Sequence, residues 1–415
     1  MPIDPKLIDK LDARLTPDQA DGLRRAVAIA SNRQLTAYLV GGPVRDLLLD
    51  RDSGDLDVVV EGGAVAPAEA LAADLGARIK RYSSFGTATV LGDDWQIDLI
   101  TARSETYARP GALPTVHPAT VADDLARRDF TINAMALALN GPSAGDLLDP
   151  HGGRADVDAG LIRVLHEGSF QDDATRIFRA ARYASRFGFQ IEEETLEWLE
   201  RDLSFVDEIG GARVRREFER IFAEEKPQDA LMRLHALGAL QATHAGLRMT
   251  HAQSEAIRMI APVPVSARAT AFAILAWETP ANEIESVVKR LALTKAQAEA
   301  VRAVPALRDL RSELVDELTP SQTDRILSPF PADAVLALGA VEDTAAGWWA
   351  RQYLTAIRPA RTILRGDDLV ALGVPEGAAL GEVLARLRAA KLDGEVATRA
   401  DEEAWVRDYL ARSPR

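Results

Sequence analysis

The stretch YLVGGPVRDLLLDRDSGDLDVVV, residues 38–60, decides how the first part of this chain folds. Its apolar start, Ala37 to Val40, reads as a buried strand ended by Gly41-Gly42, with a helix beginning near Val44. The β-branched run from Asp55 to Val60 reads as a second strand. Strand side chains alternate, so Asp55 and Asp57 share one face while Leu56, Val58 and Val60 take the other. Carboxylates two apart have Cα atoms roughly 6–7 Å from each other. That spacing lets both converge on two magnesium ions roughly 3.5–4 Å apart, the arrangement for in-line displacement at phosphorus. The plain alternative is an edge strand with a solvated acidic face. The preceding residues shift the balance. Two glycines let a backbone approach a ligand closely, and a helix start attracts an anion. Arg45 lies in the first turn, where a cation opposes the helix dipole. It makes better sense there gripping an anion with its fork.

Outward from this stretch, Thr16-Pro17 opens a helix reaching about Ala30, by capping and by proline at the first helical position. Ala68 to Leu75 reads as a helix closed by Gly76, and Thr87 to Leu91 with Trp95 to Ile100 as a hairpin across Gly92-Asp93-Asp94. Phe130 to Leu139 is a short apolar stretch, and DPHGG at 149–153 is a turn. Beyond Gly160 strand signals nearly vanish, and Ala-, Leu-, Arg- and Glu-rich segments of helical period take over. The expectation is an α/β region to about residue 150 and a helical remainder.

The chain has 415 residues, no cysteine and a net charge of -14. Its length calls for more than one core. The missing cysteines exclude disulfides, thiolate metal sites and a cysteine nucleophile, and fit a reducing compartment. The first 25 residues are charged and lack the apolar core of a secretion signal, and no apolar run is long enough to span a membrane. The acidic balance argues against indiscriminate polyanion binding, so any nucleic-acid surface has to be local.

Taken together, GGPVRDLLL and DLDVVV resemble the signature of the DNA polymerase β-like nucleotidyltransferases, in the form carried by class II tRNA nucleotidyltransferases and bacterial poly(A) polymerases. The resemblance continues in order through ARRDFTINAMAL (126–137), LIRVLHEGSFQDDATRIFRAARYASRFGF (161–189), GARVRREFERIF (211–222) and ILRGDDLVALGV (363–374). It implies an α+β N-terminal nucleotidyltransferase domain, a small mixed sheet with helices, followed by an elongated all-α C-terminal region. It divides the chain into a head (1–150), a neck (151–225), a body (226–360) and a tRNA-binding tail (361–415). It implies transfer from CTP and ATP to the 3′ acceptor end of tRNA in the cytoplasm, with no membrane and no obligate protein partner. It also implies two Mg²⁺ ions held by Asp55, Asp57 and a later carboxylate. The best match for the last is Asp98, which points opposite to Ile97 and Leu99, whereas Asp93 and Asp94 read better as turn residues. Addition of A alone or CC alone, poly(A) synthesis, and an inactive RNA-binding relative stay open as alternatives.

The resemblance assigns the nucleotide to Gly41, Gly42, Arg45, Asp46, Arg128, Asp129, Asn133, Asp173, Arg176, Arg179 and Arg182, and RNA to Arg186, Arg213 and Arg216. For Asp129 and Asn133 the plain alternatives are a helix cap and a backbone bond. Asp173 and Arg176, three apart, read as neighbours on one helix face. A carboxylate accepts from an exocyclic amine and a guanidinium donates to a ring nitrogen or carbonyl, so one such pair reads both cytosine and adenine. Uracil and guanine present the opposite order, leaving buried groups unpaired. The family's Glu-Asp-Pro-Leu-Arg appears here as Asp172-Asp173-Ala174-Thr175-Arg176. Arg176, Arg179, Arg182 and Arg186 form a basic stripe for triphosphate or primer phosphates, unless it is a solvated face paired with Glu192 to Glu194. No adjacent His-Asp pair occurs, so the phosphohydrolase domain that some relatives append is not expected. The segment TYARPGALPTV (106–116) lies where relatives carry a loop tied to switching between bases.

Overall fold

Every residue from Ala37 to Val40 is apolar or aromatic because the strand they form, β1, has a neighbour on each side. The computed structural model describes residues 6–52, 54, 56–82, 86–106 and 115–412. Asp55 and residues 107–114 of the expected switching segment lie outside them. The strands of the first part are β1 (Ala37–Val40), β2 (Asp57–Val60), β3 (Arg78–Tyr82), β4 (Thr87–Leu91), β5 (Gln96–Thr101), β6 (Arg103–Thr106), β7 (Thr115–Pro118), β8 (Ala136–Ala138), β9 (Leu147–Leu148) and the short parallel pair β10 (Leu161–Ile162) and β11 (Gln190–Ile191). Among the described residues, seven of them form one sheet in the order β3-β4-β5-β2-β1-β8-β9. The pair β2/β5 is parallel and the other pairs are antiparallel, so the sheet is mixed. β6 and β7 pair separately as an antiparallel ladder.

The position of β2 removes the edge-strand reading of its acidic face. It lies between β5 and β1, and Val58, Val59 and Val60 are all buried. Val59, on the face of Asp57, packs with Val40, Ala102, Val121, Leu125 and Ala136. The 87–100 hairpin forms as expected, with Asp93 and Asp94 in its turn. β3, sequence RIKRY, was not expected. Its alternating charges suppress the strand signal, and pairing with β4 at the sheet edge makes it a strand, as charged edges commonly are.

The helices of this part are α1 (Lys6–Asp12), α2 (Pro17–Asn32), α3 (Gly42–Leu48), α4 (Val65–Leu75), α5 (Val121–Ala126), α6 (Gly153–Ala159), α7 (Ser169–Asp172), α8 (Thr175–Phe187), α9 (Glu193–Arg201) and α10 (Gly211–Phe222). Thr16 and Gln19 close the capping box expected at the start of α2, and Gly76 ends α4 in the left-handed region at φ 61°. The apolar 130–139 segment splits into a 3₁₀ turn, Thr131–Asn133, and β8.

The chain divides into two compact units, 1–213 and 214–415. Among its described residues the second is helical throughout. One aromatic group there is Phe218, Phe222 and Phe272. A further core gathers Leu364, Leu369, Val374, Val383, Leu387 and Val406. Beside it Glu402, fully buried, accepts hydrogen bonds from the backbone N–H groups of Ile363 and Leu364 and pairs with Lys391 at 2.8 Å. Replacing Glu402 by Ala strands these donors and the ammonium, and should cost roughly 3 kcal/mol. Urea unfolding checks this, and a loss below about 1 kcal/mol would show that water substitutes for the carboxylate.

Candidate active site

The register of the parallel pair builds the acidic part of the site. Asp57 on β2 lies opposite Asp98 on β5. Residues in register on adjacent strands share a face, so both carboxylates project to the same side. Asp98 has the expected parity, between buried Ile97 and Leu99. Its Oδ1 is buried and has no hydrogen-bond partner among the described residues. A solvent-shielded, unbonded carboxylate oxygen beside a second carboxylate is costly unless a cation completes it.

Next to these strands the 128–133 segment folds back on α3. Gly41 takes φ 72°, and a side chain there would meet the Arg128 guanidinium at 2.5 Å. Arg45 is 4% exposed and is not left open as an anion grip. Its Nε and Nη2 donate to Asp46 Oδ1 at 2.9 and 2.8 Å, and its Nη1 donates to Asn133 Oδ1. Asn133 Nδ2 donates to Asp129 Oδ1 at 3.1 Å, which also accepts from the Phe130 N–H. The Asp129 Oδ2 faces the Arg179 guanidinium at 2.5 Å, an ionic contact rather than an aligned hydrogen bond. Asn133 therefore bonds side chains, not the backbone. Burial would raise the Asp129 carboxyl, but Arg179, Asn133, Arg176 and the Phe130 N–H together hold it below the usual range.

Asp173 and Arg176 do not share a helix face. Asp173 sits between α7 and α8 with extended backbone, φ -146° and ψ 96°. Arg176 lies in the first turn of α8, 5% exposed, and donates to the carbonyls of Ser169 and Arg127. Arg213, expected against RNA, pairs with Asp173 at 2.8 Å. Asp172 turns instead toward His166. The arginine stripe on α8 is not a solvated face paired with the acidic run: Glu192 pairs with Arg163, while Glu193 and Glu194 are exposed. Arg182 is buried with its guanidinium 4.5 Å from the Tyr183 ring, and Arg45 lies 4.5 Å from the Phe187 ring. Burial would raise the Tyr183 phenol, but Arg179, Arg182 and Arg45 outweigh it and the opposing Asp129, leaving it lowered. Arg186 and Arg216 are exposed, on α8 and α10.

Part of this set surrounds one cleft of about 470 Å³, whereas Gly41, Asp46, Asp98, Arg182, Arg186, Arg213 and Arg216 do not line it. Gly42, Arg45, Asp57, Arg128, Asp129, Asn133, Asp173, Arg176 and Arg179 all line it. Sequence reading missed Ile100, Glu105, Arg127 and Tyr183. The lining carries five arginines against four carboxylates, which makes the cleft locally basic in a chain of net charge -14. It also missed Asp124, fully buried behind the cleft, which pairs with Arg127 at 2.6 Å and Arg128 at 2.9 Å. The i,i+3 and i,i+4 spacing of Asp124 to the two arginines was the available signal.

Residues 37–163 match the family described as Poly A polymerase head domain, and residues 188–247 that described as Probable RNA and SrmB- binding site of polymerase A. The CC-adding tRNA nucleotidyltransferase of Deinococcus radiodurans is 32% identical over 379 residues, 91% of this chain and 90% of that protein. The chain belongs to the tRNA nucleotidyltransferase family. The A-adding tRNA nucleotidyltransferase of Geobacter sulfurreducens is 33% identical over 92% of this chain, which spans only 46% of that longer protein. Among solved structures, the Thermotoga maritima CCA-adding enzyme complexed with tRNA_CCA matches with TM-score 0.78 and 28% identity, over 97% of this chain and 98% of that one. CCA-adding enzyme complexes with ATP and with CTP match with TM-scores of 0.81 and 0.82 and identities of 29% and 28%. Each covers 97% of this chain, and 96% and 98% of those chains respectively.

In this family member the buried Asp124 yields a pH-dependent test. Burial raises its carboxyl, but Arg128 and Arg127 outweigh that and leave it below its ordinary 3.8. A carboxyl lowered on folding contributes stability that is present above its unfolded value and lost as pH falls through the folded one. Asp124→Asn should therefore cost roughly 3 kcal/mol at neutral pH. The gap to wild type should narrow below about pH 4. Unfolding curves at several pH values check this, and a gap independent of pH would contradict it.

Proposed function

We propose that this chain is a template-independent nucleotidyltransferase that extends the 3′ end of tRNA with C, A or both. The observation carrying this reading is the single cleft that unites Asp57 with the 128–133 segment and the 173–179 segment. Relatives named for A, CC and CCA addition, and neighbours named as complexes with tRNA, ATP and CTP, support it. In this reading the head (1–150), neck (151–225), body (226–360) and tail (361–415) divide the work, with the tail engaging tRNA by shape and backbone. The reaction belongs in the cytoplasm, which the absence of cysteine fits.

Asp57, Asp98 and Asp55 are the residues that would hold two Mg²⁺ ions, and the Asp98 oxygen that has no hydrogen-bond partner among the described residues fits a cation. Bound there, the ions supply charge that favours the ionised 3′-hydroxyl and the departing pyrophosphate. The Gly41-Gly42 turn and Arg45 border the triphosphate, with Asp46 and Asn133 holding the guanidinium in place. Arg128 and Asp129 face the sugar and phosphates. Arg176 spends one N–H of each terminal nitrogen on a carbonyl, which fixes its fork and leaves a second hydrogen on each. With Asp173 it reads the edge of C or A. Arg179 and Arg182 add positive charge beside the nucleotide, while Arg186 and Arg216 lie toward RNA and Arg213 stays on Asp173.

The deciding assay offers each labelled triphosphate, singly and together, to tRNA ending at the discriminator base, at C and at CC. No incorporation into any of them would overturn the reading. Asp57→Ala should abolish incorporation of both C and A while tRNA binding persists, and retention of more than a small fraction of turnover would remove Asp57 from the metal site. Binding of tRNA should also weaken steeply with salt despite the acidic chain, because local arginines displace counterions from phosphate. A flat salt response would show that the basic cleft and its surroundings do not touch the backbone.

A further inference from the structure

The base-reading carboxylate has a feature that its role does not require. All three hydrogen bonds that Asp173 accepts through its side chain go to one oxygen. Oδ1 receives the Thr175 N–H at 3.0 Å, the Thr175 hydroxyl at 2.7 Å and the Arg213 guanidinium at 2.8 Å. A carboxylate carries about two lone-pair sites on each oxygen. Oδ1 is thus saturated, and Oδ2 receives no hydrogen bond among the described residues. Thr175 is 5% exposed, so water competes little for its hydroxyl.

We propose that Thr175 and Arg213 clamp Asp173 so that Oδ2 alone faces the incoming base, making both positioning residues for base selection. The inference rests on the proposed reading of the base edge by Asp173. The clamp is needed because Asp173 lies between two helices, in extended backbone, where no helical frame fixes its side chain. The torsion that turns a carboxylate is broad and soft. Unclamped, the group rotates or withdraws, and the penalty against a carbonyl at the exocyclic position falls. The local sequence fits. Where the family pattern has Pro and Leu, this chain has Ala174 and Thr175, and the threonine hydroxyl supplies the restraint that a proline ring would otherwise lend to the backbone. Arg213 acts from the first turn of α10, which ties the carboxylate to that helix.

The test compares kcat/KM for CTP against UTP, and for ATP against GTP, on tRNA primers awaiting C or A. The variants are Thr175→Val, Thr175→Ser, Arg213→Gln and Asp173→Asn, each checked for folding by thermal unfolding. Thr175→Val keeps shape but removes the hydroxyl and should lower the correct-to-wrong ratio about tenfold, as should Arg213→Gln, while Thr175→Ser keeps it. Asp173→Asn places an amide at the reading position and should change the ratio most. An altered ratio in Asp173→Asn with unaltered ratios in both Thr175→Val and Arg213→Gln overturns the clamp and leaves the base reading standing. An unaltered ratio in Asp173→Asn overturns the base reading, and the clamp with it. A purely structural Thr175 would lower the rates for right and wrong nucleotides together and leave their ratio where it was.

Discussion

A chain of charge and amide groups, buried Arg45, Asn133 and Asp129 ending on half-buried Arg179, is what the first unit depends on. It ties α3, the 3₁₀ turn and α8 into one wall. Buried charges are tolerated only when paired and hydrogen-bonded, and breaking one link leaves the next uncompensated. Each member therefore holds its neighbour in a fixed rotamer, and the cleft inherits that rigidity. Asp124 does the same behind the wall for Arg127 and Arg128. Arg127 in turn offers its carbonyl to Arg176.

The same arrangement explains how an acidic chain can carry a locally basic cleft. Charge acts over roughly a Debye length of 8–10 Å at physiological salt, so distant carboxylates count little inside a walled cleft. The local balance there favours cations. The aromatic faces of Tyr183 and Phe187 help guanidinium groups crowd together, since attraction to a ring face offsets part of the repulsion between like charges.

A cleft organised before substrate arrives lowers the ordering cost of each encounter and lets discrimination rest on unmatched polar groups. Arg176 is held by two carbonyls, and Asp173 by Thr175 and Arg213, so neither has to search for its orientation. Under the proposed reading such fixed groups suit a protein template, because a mismatched base edge cannot be relieved by a side-chain turn.

The sequence by itself determined the local elements and the chemical inventory. Thr16 and Pro17 start a helix, Gly76 ends one, the run at 57–60 is a strand, and Asp57, Asp129, Asp173 and Arg176 stand out because carboxylates and guanidinium groups interrupt apolar patterns. These signals are read within a few residues, where capping, alternation and turn chemistry operate. Tertiary structure alone decided the rest. RIKRY became a strand through pairing with β4, Asp57 and Asp98 became neighbours through a parallel register, Glu105 and Tyr183 joined the cleft wall from separate segments, and Asp124 came to lie behind it. It also moved Asp173 off the helix face that its spacing suggested and gave it to Thr175 and Arg213. Spacing along a chain fixes neighbours only while one element continues. Once the chain turns, partners are chosen by which buried charges must be satisfied, and that is settled across the fold.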